Sequence, residues 1–143
     1  MTLGAAVGEA VLGKKLGNRA ALWGAVCGTL PDLDVISGLF LDDMQQLALH
    51  RGLSHSIFFA VIGGWGAGHL LARLHPDATA RQWGLLAFLA FATHSLLDCF
   101  TVYGTQVFQP FSDYPVAWGT LFIIDPLYTL PLMVPLLVVL FLR

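Results

Sequence analysis

LSHSIFFAVIGGWGAGHLLARL, Leu53–Leu74, is an apolar run whose ionisable residues fall only near its two ends. A helix rises about 1.5 Å per residue, so the run is long enough to cross the roughly 30 Å hydrocarbon core of a bilayer. Working outward, Gln82–Val102 and Gly119–Leu142 have a similar length and character. Upstream, Leu3–Leu12 and Ala20–Leu30 are apolar but short, each covering about 16 Å as a helix. They are joined by GKKLGN and followed by PDLDVISGLFL, and are expected to form a hairpin reaching part-way in or to run on past their apparent ends. The predicted architecture is all-α: an integral-membrane helical bundle of three full spans plus a shorter N-terminal helical pair, forming one domain over residues 1–143. Glycines four apart, Gly4/Gly8, Gly24/Gly28 and Gly64/Gly68, are the spacing that lets helix backbones approach closely in lipid.

Composition agrees with a membrane setting. Of the 143 residues, 57% are hydrophobic and 11% charged, against about 25% charged in soluble domains. The formal net charge of -2 provides no basic stripe, which argues against a nucleic-acid partner. Cys27 and Cys99 lie in apolar runs and read as small buried hydrophobes rather than a disulfide framework. The N-terminal stretch carries its lysines after the apolar run, the reverse of a secretory signal, and is expected to be retained.

The polar residues are sorted by end. Lys14, Lys15, Arg19, Arg73, Arg81 and Arg143 fall at one end of the apolar segments, and Arg51 is the one basic residue elsewhere. Asp32, His55, Asp98 and Asp125 each lie roughly 25–27 Å along the chain's helices from that basic end. The positive-inside rule makes the basic end cytoplasmic and puts the acidic and histidine end near the outer face.

Ionisable groups at membrane depth are costly and usually functional. In THSLLDCF, His94 and Asp98 stand at i and i+4 on one helical face, where an imidazole and a carboxylate can hold one cation together. In PDLD, a local break is expected at Pro31, with Asp32 and Asp34 both reaching one pocket. In HRGLSHS, Gly52 allows a sharp turn, so that His50 approaches from a loop and His55 from the first helical turn, with Ser54 as N-cap. The candidate metal ligands are therefore Asp32, Asp34, His50, His55, His94 and Asp98. A metal centre is favoured over a proton relay or a structural polar network. Mixed nitrogen and oxygen donors suit zinc, manganese or iron. Six candidates exceed one tetrahedral ion, and two ions bridged by an aspartate would suit activation of water against phosphate esters.

GTLPDLD, HRGLSHS and THSLLDCFTVYGT, in this order between Gly-rich apolar segments, resemble the YdjM-like family of membrane-bound metal-dependent hydrolases. The resemblance runs from LGAAVGEAVLGKKLGN through FSDYPVAWGTLFIIDPLYTLP. Its H-x-x-x-D pattern groups it with the zinc-dependent phospholipase C and P1 nuclease class, which implies metal-assisted hydrolysis of phosphodiesters. One or two divalent ions are implied, zinc first and manganese or iron after it, held by the six residues above.

Around the ligands, Arg51 is placed to clamp a phosphate and to act with Asp34 as a catalytic group. Ser54, Ser56, Glu9 and Asp125 are candidates for supporting or substrate contacts. GTQVFQPFSDYPVAW, polar-aromatic and helix-poor, reads as an interfacial anchor or a lid. His69 and His75 fall near the basic end, and His75 is expected to be solvated in its turn. The expected function is a membrane-embedded metal-dependent hydrolase of a phosphoester on a lipid or lipid-linked substrate, partnered by the bilayer. The site would face outward from a bacterial-type inner membrane. The alternative is a metal-ion or proton transporter using the same His/Asp cluster.

Overall fold

The computed structural model describes residues 1–39, 52–122 and 126–142. Five α-helices carry the described chain: α1 (Thr2–Leu16), α2 (Asn18–Cys27), α3 (Ile57–Leu74), α4 (Ala80–Cys99) and α5 (Pro126–Leu142). Two 3₁₀ segments, Leu30–Leu39 and Leu53–His55, precede α3. No strand occurs among the described residues; a single antiparallel bridge ties Thr105 to Val116.

The two N-terminal runs form a hairpin: the first extends past Leu12 to Leu16, the second starts earlier at Asn18 but stops at Cys27, and they fold back on each other through Gly17. Its φ of 61° is a value a β-carbon disfavours. The hairpin closes at the glycines. A β-carbon on Gly4 would meet the carbonyl oxygen of Gly24, one on Gly8 that of Ala20, and one on Gly24 that of Gly4. The second pair, α3 against α4, repeats the device: Gly64 lies against the backbone of Phe88, and Gly68 against Ala80 and Gly84. The spacing of four expected from the sequence is therefore where the helices touch. The core between the pairs is made by Trp83, Leu86, Ala87, Ala90 and Phe91 of α4 with Leu12, Ala20, Cys27, Ala60 and Leu71. Cys27 and Cys99 are buried thiols that are not joined in a disulfide, as expected.

The basic end is knitted by side chains. Thr79 and Gln82 form a reciprocal capping box at the start of α4. Lys15 reaches the same Gln82 Oε1 at 2.9 Å, and Arg19 pairs with Asp77 at 3.4 Å. His75 departs from the expectation of a solvated turn residue. The Trp23 indole donates to its Nε2 at 3.0 Å and the Trp83 indole to its carbonyl at 3.2 Å. An indole N–H is a donor only, so the half-buried ring and its backbone are taken up in fixing α2 to the α3–α4 turn.

Three full spans are not what the helices supply. Among the described helices, α3 alone is long and apolar enough to cross a membrane by length and composition. The run expected as Gln82–Val102 folds as Ala80–Cys99, where Arg81, Gln82, Thr93, His94, Ser95 and Asp98 dilute its apolar content. Within the run expected as Gly119–Leu142, residues 119–122 are not helical and the described helix is Pro126–Leu142, 17 residues. Pro126 suits a first helical position, where its missing N–H leaves no bond unmade. The run expected from Leu53 begins its α-helix at Ile57, four residues later, behind the 3₁₀ turn.

Candidate metal centre

Each site residue owes its position to a helix end. α4 projects His94 and Asp98 one turn apart, as the sequence predicts, and their Nε2 and Oδ2 are 3.6 Å apart. The 3₁₀ turn Leu53–His55 holds itself by His55 N–H to the Gly52 carbonyl and Ser56 N–H to the Leu53 carbonyl, at 3.0 and 3.1 Å. It delivers His55, whose ring is wholly buried, against the C-terminal part of α4. The turn also corrects the cap. Ser56, not Ser54, starts α3: its hydroxyl accepts from Phe59 N–H at 3.0 Å and donates to the Leu53 carbonyl at 2.7 Å. Ser56 is thus a structural residue, and Ser54 is released for other work.

Asp32 and Asp34 do not share one pocket. Leu30–Leu39 is a 3₁₀ segment, and with three residues per turn positions two apart diverge by about 120°. The two carboxylates consequently straddle the His55 ring. Asp32 Oδ1 lies 3.7 Å from Nε2, and Asp34 Oδ2 lies 3.6 Å from Nδ1. On the Nδ1 side, Ser54 Oγ donates to Asp34 Oδ2 at 2.9 Å and lies 3.0 Å from His55 Nδ1. A hydroxyl already donating to a carboxylate accepts from the imidazole, so this chain places the ring proton on Nδ1 and turns the Nε2 lone pair inward.

What Nε2 faces is a compact set of donors. Asp32, His55, His94 and Asp98 each offer one atom, and the four atoms lie within 4.8 Å of one another. His55 Nε2 is 3.3 Å from Asp98 Oδ2, and His94 Nε2 is 3.2 Å from Asp32 Oδ1. Ligands of a tetrahedral ion with bonds near 2.1 Å stand about 3.4 Å apart. Those separations, and the 3.6 Å between His94 and Asp98, are of that size. His94 Nε2 is buried yet makes no aligned hydrogen bond, which a structural polar network would be expected to provide. The two imidazole nitrogens and two carboxylate oxygens form a donor set that fits a divalent ion.

Electrostatics tie the members together. Burial works against a charged His55, but the carboxylates of Asp32, Asp98 and Asp34 outweigh it and push the imidazole up to about 9. Burial likewise opposes the charge on Asp32, and His55 and His94 overcome it, holding that carboxyl well below its usual range. A cation therefore enters by displacing a proton shared between imidazoles and carboxylates. Ser54→Ala, which removes the link fixing the His55 ring, is expected to weaken zinc binding about 10–100-fold while leaving the fold intact. The check is competition titration against a chromophoric chelator, and unchanged affinity would remove Ser54 from the site.

The other predicted residues divide. His50, Arg51 and Asp125 lie outside the described residues. Glu9 lies over Gly13, one turn towards the lysine end of α1, and is not part of the four-atom group. His69 bonds the Trp65 carbonyl at 2.9 Å and, with Arg81, lines a groove of about 620 Å³ at the opposite end of α3 and α4. That groove is the larger one but shares no residue with the cluster. The cleft that does contain the cluster, about 250 Å³, is lined by Asp32, His94 and Asp98 together with Gly4, Leu97 and Tyr128. Tyr128 was missed from the sequence. The available signal was a phenol two residues after Pro126, at the start of an otherwise apolar run.

The whole chain, residues 1–143, matches the YdjM inner membrane protein family. The chain belongs to that family. Among curated proteins it is similar to YfhP of Bacillus subtilis (strain 168), whose name describes it as an uncharacterized protein. The two are 34% identical over 100 residues, a stretch covering 67% of this chain and 29% of YfhP. The chain thus spans less than a third of that relative's length. No solved structure matches it. Membership of the YdjM inner membrane protein family agrees with the membrane setting read from composition.

Proposed function

We propose that this YdjM-family protein is a membrane-embedded metal-dependent hydrolase acting on a phosphoester of a lipid or lipid-linked substrate. The observation that carries the reading is the convergence of four donor atoms from three separate elements within 4.8 Å. Asp32, His55, His94 and Asp98 would hold a divalent ion, zinc first and manganese or iron after it, which would supply Lewis acidity for a phosphoryl group and for an attacking water. The chain's own residues prepare the site. Asp34 and Ser54 act as positioning residues that keep the proton on His55 Nδ1. Asp32, about half exposed, occupies the open side of the cluster, where substrate would enter. Arg51, two residues before Leu53 in the sequence, is assigned to the developing negative charge, a task for which its planar guanidinium is suited.

The test is hydrolysis of bis(p-nitrophenyl) phosphate and of phospholipids by zinc-loaded protein. We expect zinc-dependent release of product, abolished in His94→Ala. Arg51→Ala is expected to keep its zinc and lose about 10²–10³ in turnover, as on removal of one preorganised donor. Zinc-loaded protein that hydrolyses neither ester, or an Arg51→Ala variant with full turnover, would refute the corresponding assignment.

We further place the cluster towards the outer face of the inner membrane, because the end joined by Lys15, Arg19 and Arg81 is the opposite one. A cysteine at Asp113 is expected to react with an impermeant maleimide added outside the cell, and one at Asp77 only after lysis. The reversed pattern would put the site in the cytoplasm.

A further inference from the structure

We propose that the apolar groove along α4 and the start of α5 seats a hydrocarbon chain of the phosphoester substrate, and that Tyr128 marks the boundary between chain and head group. This rests on the phosphoester reading above and extends it from a reaction to a substrate shape. The groove has a volume of about 330 Å³ and is walled by Thr93, Leu96, Phe100 and Leu121. Leu3, Leu97 and Tyr128 line both this groove and the cleft that holds Asp32, His94 and Asp98. The two spaces are therefore contiguous.

Helix geometry accounts for the arrangement. Thr93, Leu96 and Leu97 of α4 and its C-cap Phe100 fall at i, i+3, i+4 and i+7, one largely apolar stripe along that helix. His94 and Asp98 each follow a stripe residue by one position, about 100° round the same helix. The helix thus presents a polar face and an apolar face side by side, with Leu97 between them. The groove offers its occupant almost nothing polar. Thr93 Oγ1 already donates to the Leu89 carbonyl at 2.6 Å, and no charged side chain lines the space. Tyr128 is the exception. It is half-buried at the junction, lines both spaces, and is the one lining residue of the groove with a phenol hydroxyl to offer beside the cleft. A ligand with a polar head at the cluster and an apolar chain beyond Tyr128 matches both spaces, whereas a water-soluble phosphoester would leave the groove to lipid.

The experiment uses the full chain, zinc-loaded in nanodiscs, with radiolabelled methylphosphonate and dodecylphosphonate as non-hydrolysable probes. Binding is corrected for uptake by empty discs. Leu96 is half exposed in the groove wall, so Leu96→Trp narrows the groove without touching the core. We expect this substitution to weaken dodecylphosphonate about tenfold, the scale of an overpacked site, while methylphosphonate binding and zinc content stay at wild-type values. Leu96→Phe, a smaller intrusion, takes its place if the tryptophan variant fails to fold, with a smaller effect in the same direction. Equal losses for both probes, or no loss for either, would overturn the groove assignment alone. Zinc-loaded wild-type protein that binds neither phosphonate would overturn the phosphoester reading and this inference with it.

Discussion

His55→Ala is expected to lose bound metal and a large part of the stability of the fold together. The ring is fully buried, and its Nε2 stands 3.3 Å from Asp98 and 3.7 Å from Asp32, while Nδ1 stands 3.6 Å from Asp34. As one of four donors it carries about a quarter of the 10–16 kcal/mol typical of a four-ligand zinc site, which is roughly 10²–10³ in affinity. In metal-free protein the carboxylates of Asp32, Asp98 and Asp34 favour a charged imidazole, and removing it destabilises the fold by less than the roughly 3–5 kcal/mol of a fully buried pair, because Asp32 is half exposed and screened by solvent. Metal content and thermal unfolding, each measured with and without chelator, separate the two effects. A His55→Ala protein with wild-type zinc content would eliminate the cluster as a metal centre.

The second large effect concerns glycine. Gly8→Val is expected to destabilise the protein by about 3 kcal/mol or more, because its β-carbon meets the Ala20 carbonyl oxygen, backbone that has no rotamer to yield. The α1–α2 hairpin would open, and since α2 leads directly into Leu30–Leu39, Asp32 and Asp34 would be carried away from His55. Loss of metal should therefore accompany loss of stability, although Gly8 is not a member of the cluster. Gly66→Ala is the internal control. Nothing lies within 4 Å of the added carbon, and alanine is the better helix former by about 1 kcal/mol, so the variant should be as stable as wild type or slightly more so. Thermal unfolding of the two proteins decides it. Equal melting temperatures would mean that the helices are not held by glycine contacts.

Where the sequence was legible, a fixed period made it so. His94 and Asp98 share a face because a helix repeats every 3.6 residues, and the glycine pairs touch because the same repeat brings i and i+4 together. The sorting of Lys15 and Arg19 away from Asp32 and His55 was equally legible, since it needs only a count of residues along each helix. Legibility failed where local hydrogen bonding overrode hydropathy. Nothing in LSHS signals that a 3₁₀ turn precedes the helix, so the cap fell to Ser54 instead of Ser56. PDLD is expected as a local break that sends both carboxylates to one pocket, yet it is 3₁₀, and that geometry sets Asp32 at Nε2 of His55 and Asp34 at Nδ1. Hydropathy alone also overstated the spans, because an apolar run such as Gly119–Leu142 includes residues before Pro126 that are not helical. Tyr128 was beyond reach for another reason: its place beside His94 depends on how α5 packs against the rest, which no local period encodes.

The central claim is that Asp32, His55, His94 and Asp98 bind one metal ion. X-ray absorption at the metal edge of the purified protein, combined with metal analysis, tests it most directly. The account predicts about one equivalent of a first-row ion, zinc before manganese or iron, with nitrogen and oxygen donors at about 2.0–2.2 Å and an imidazole scattering signature. Protein that stays metal-free after incubation with zinc, and whose melting temperature is the same with and without chelator, would contradict it.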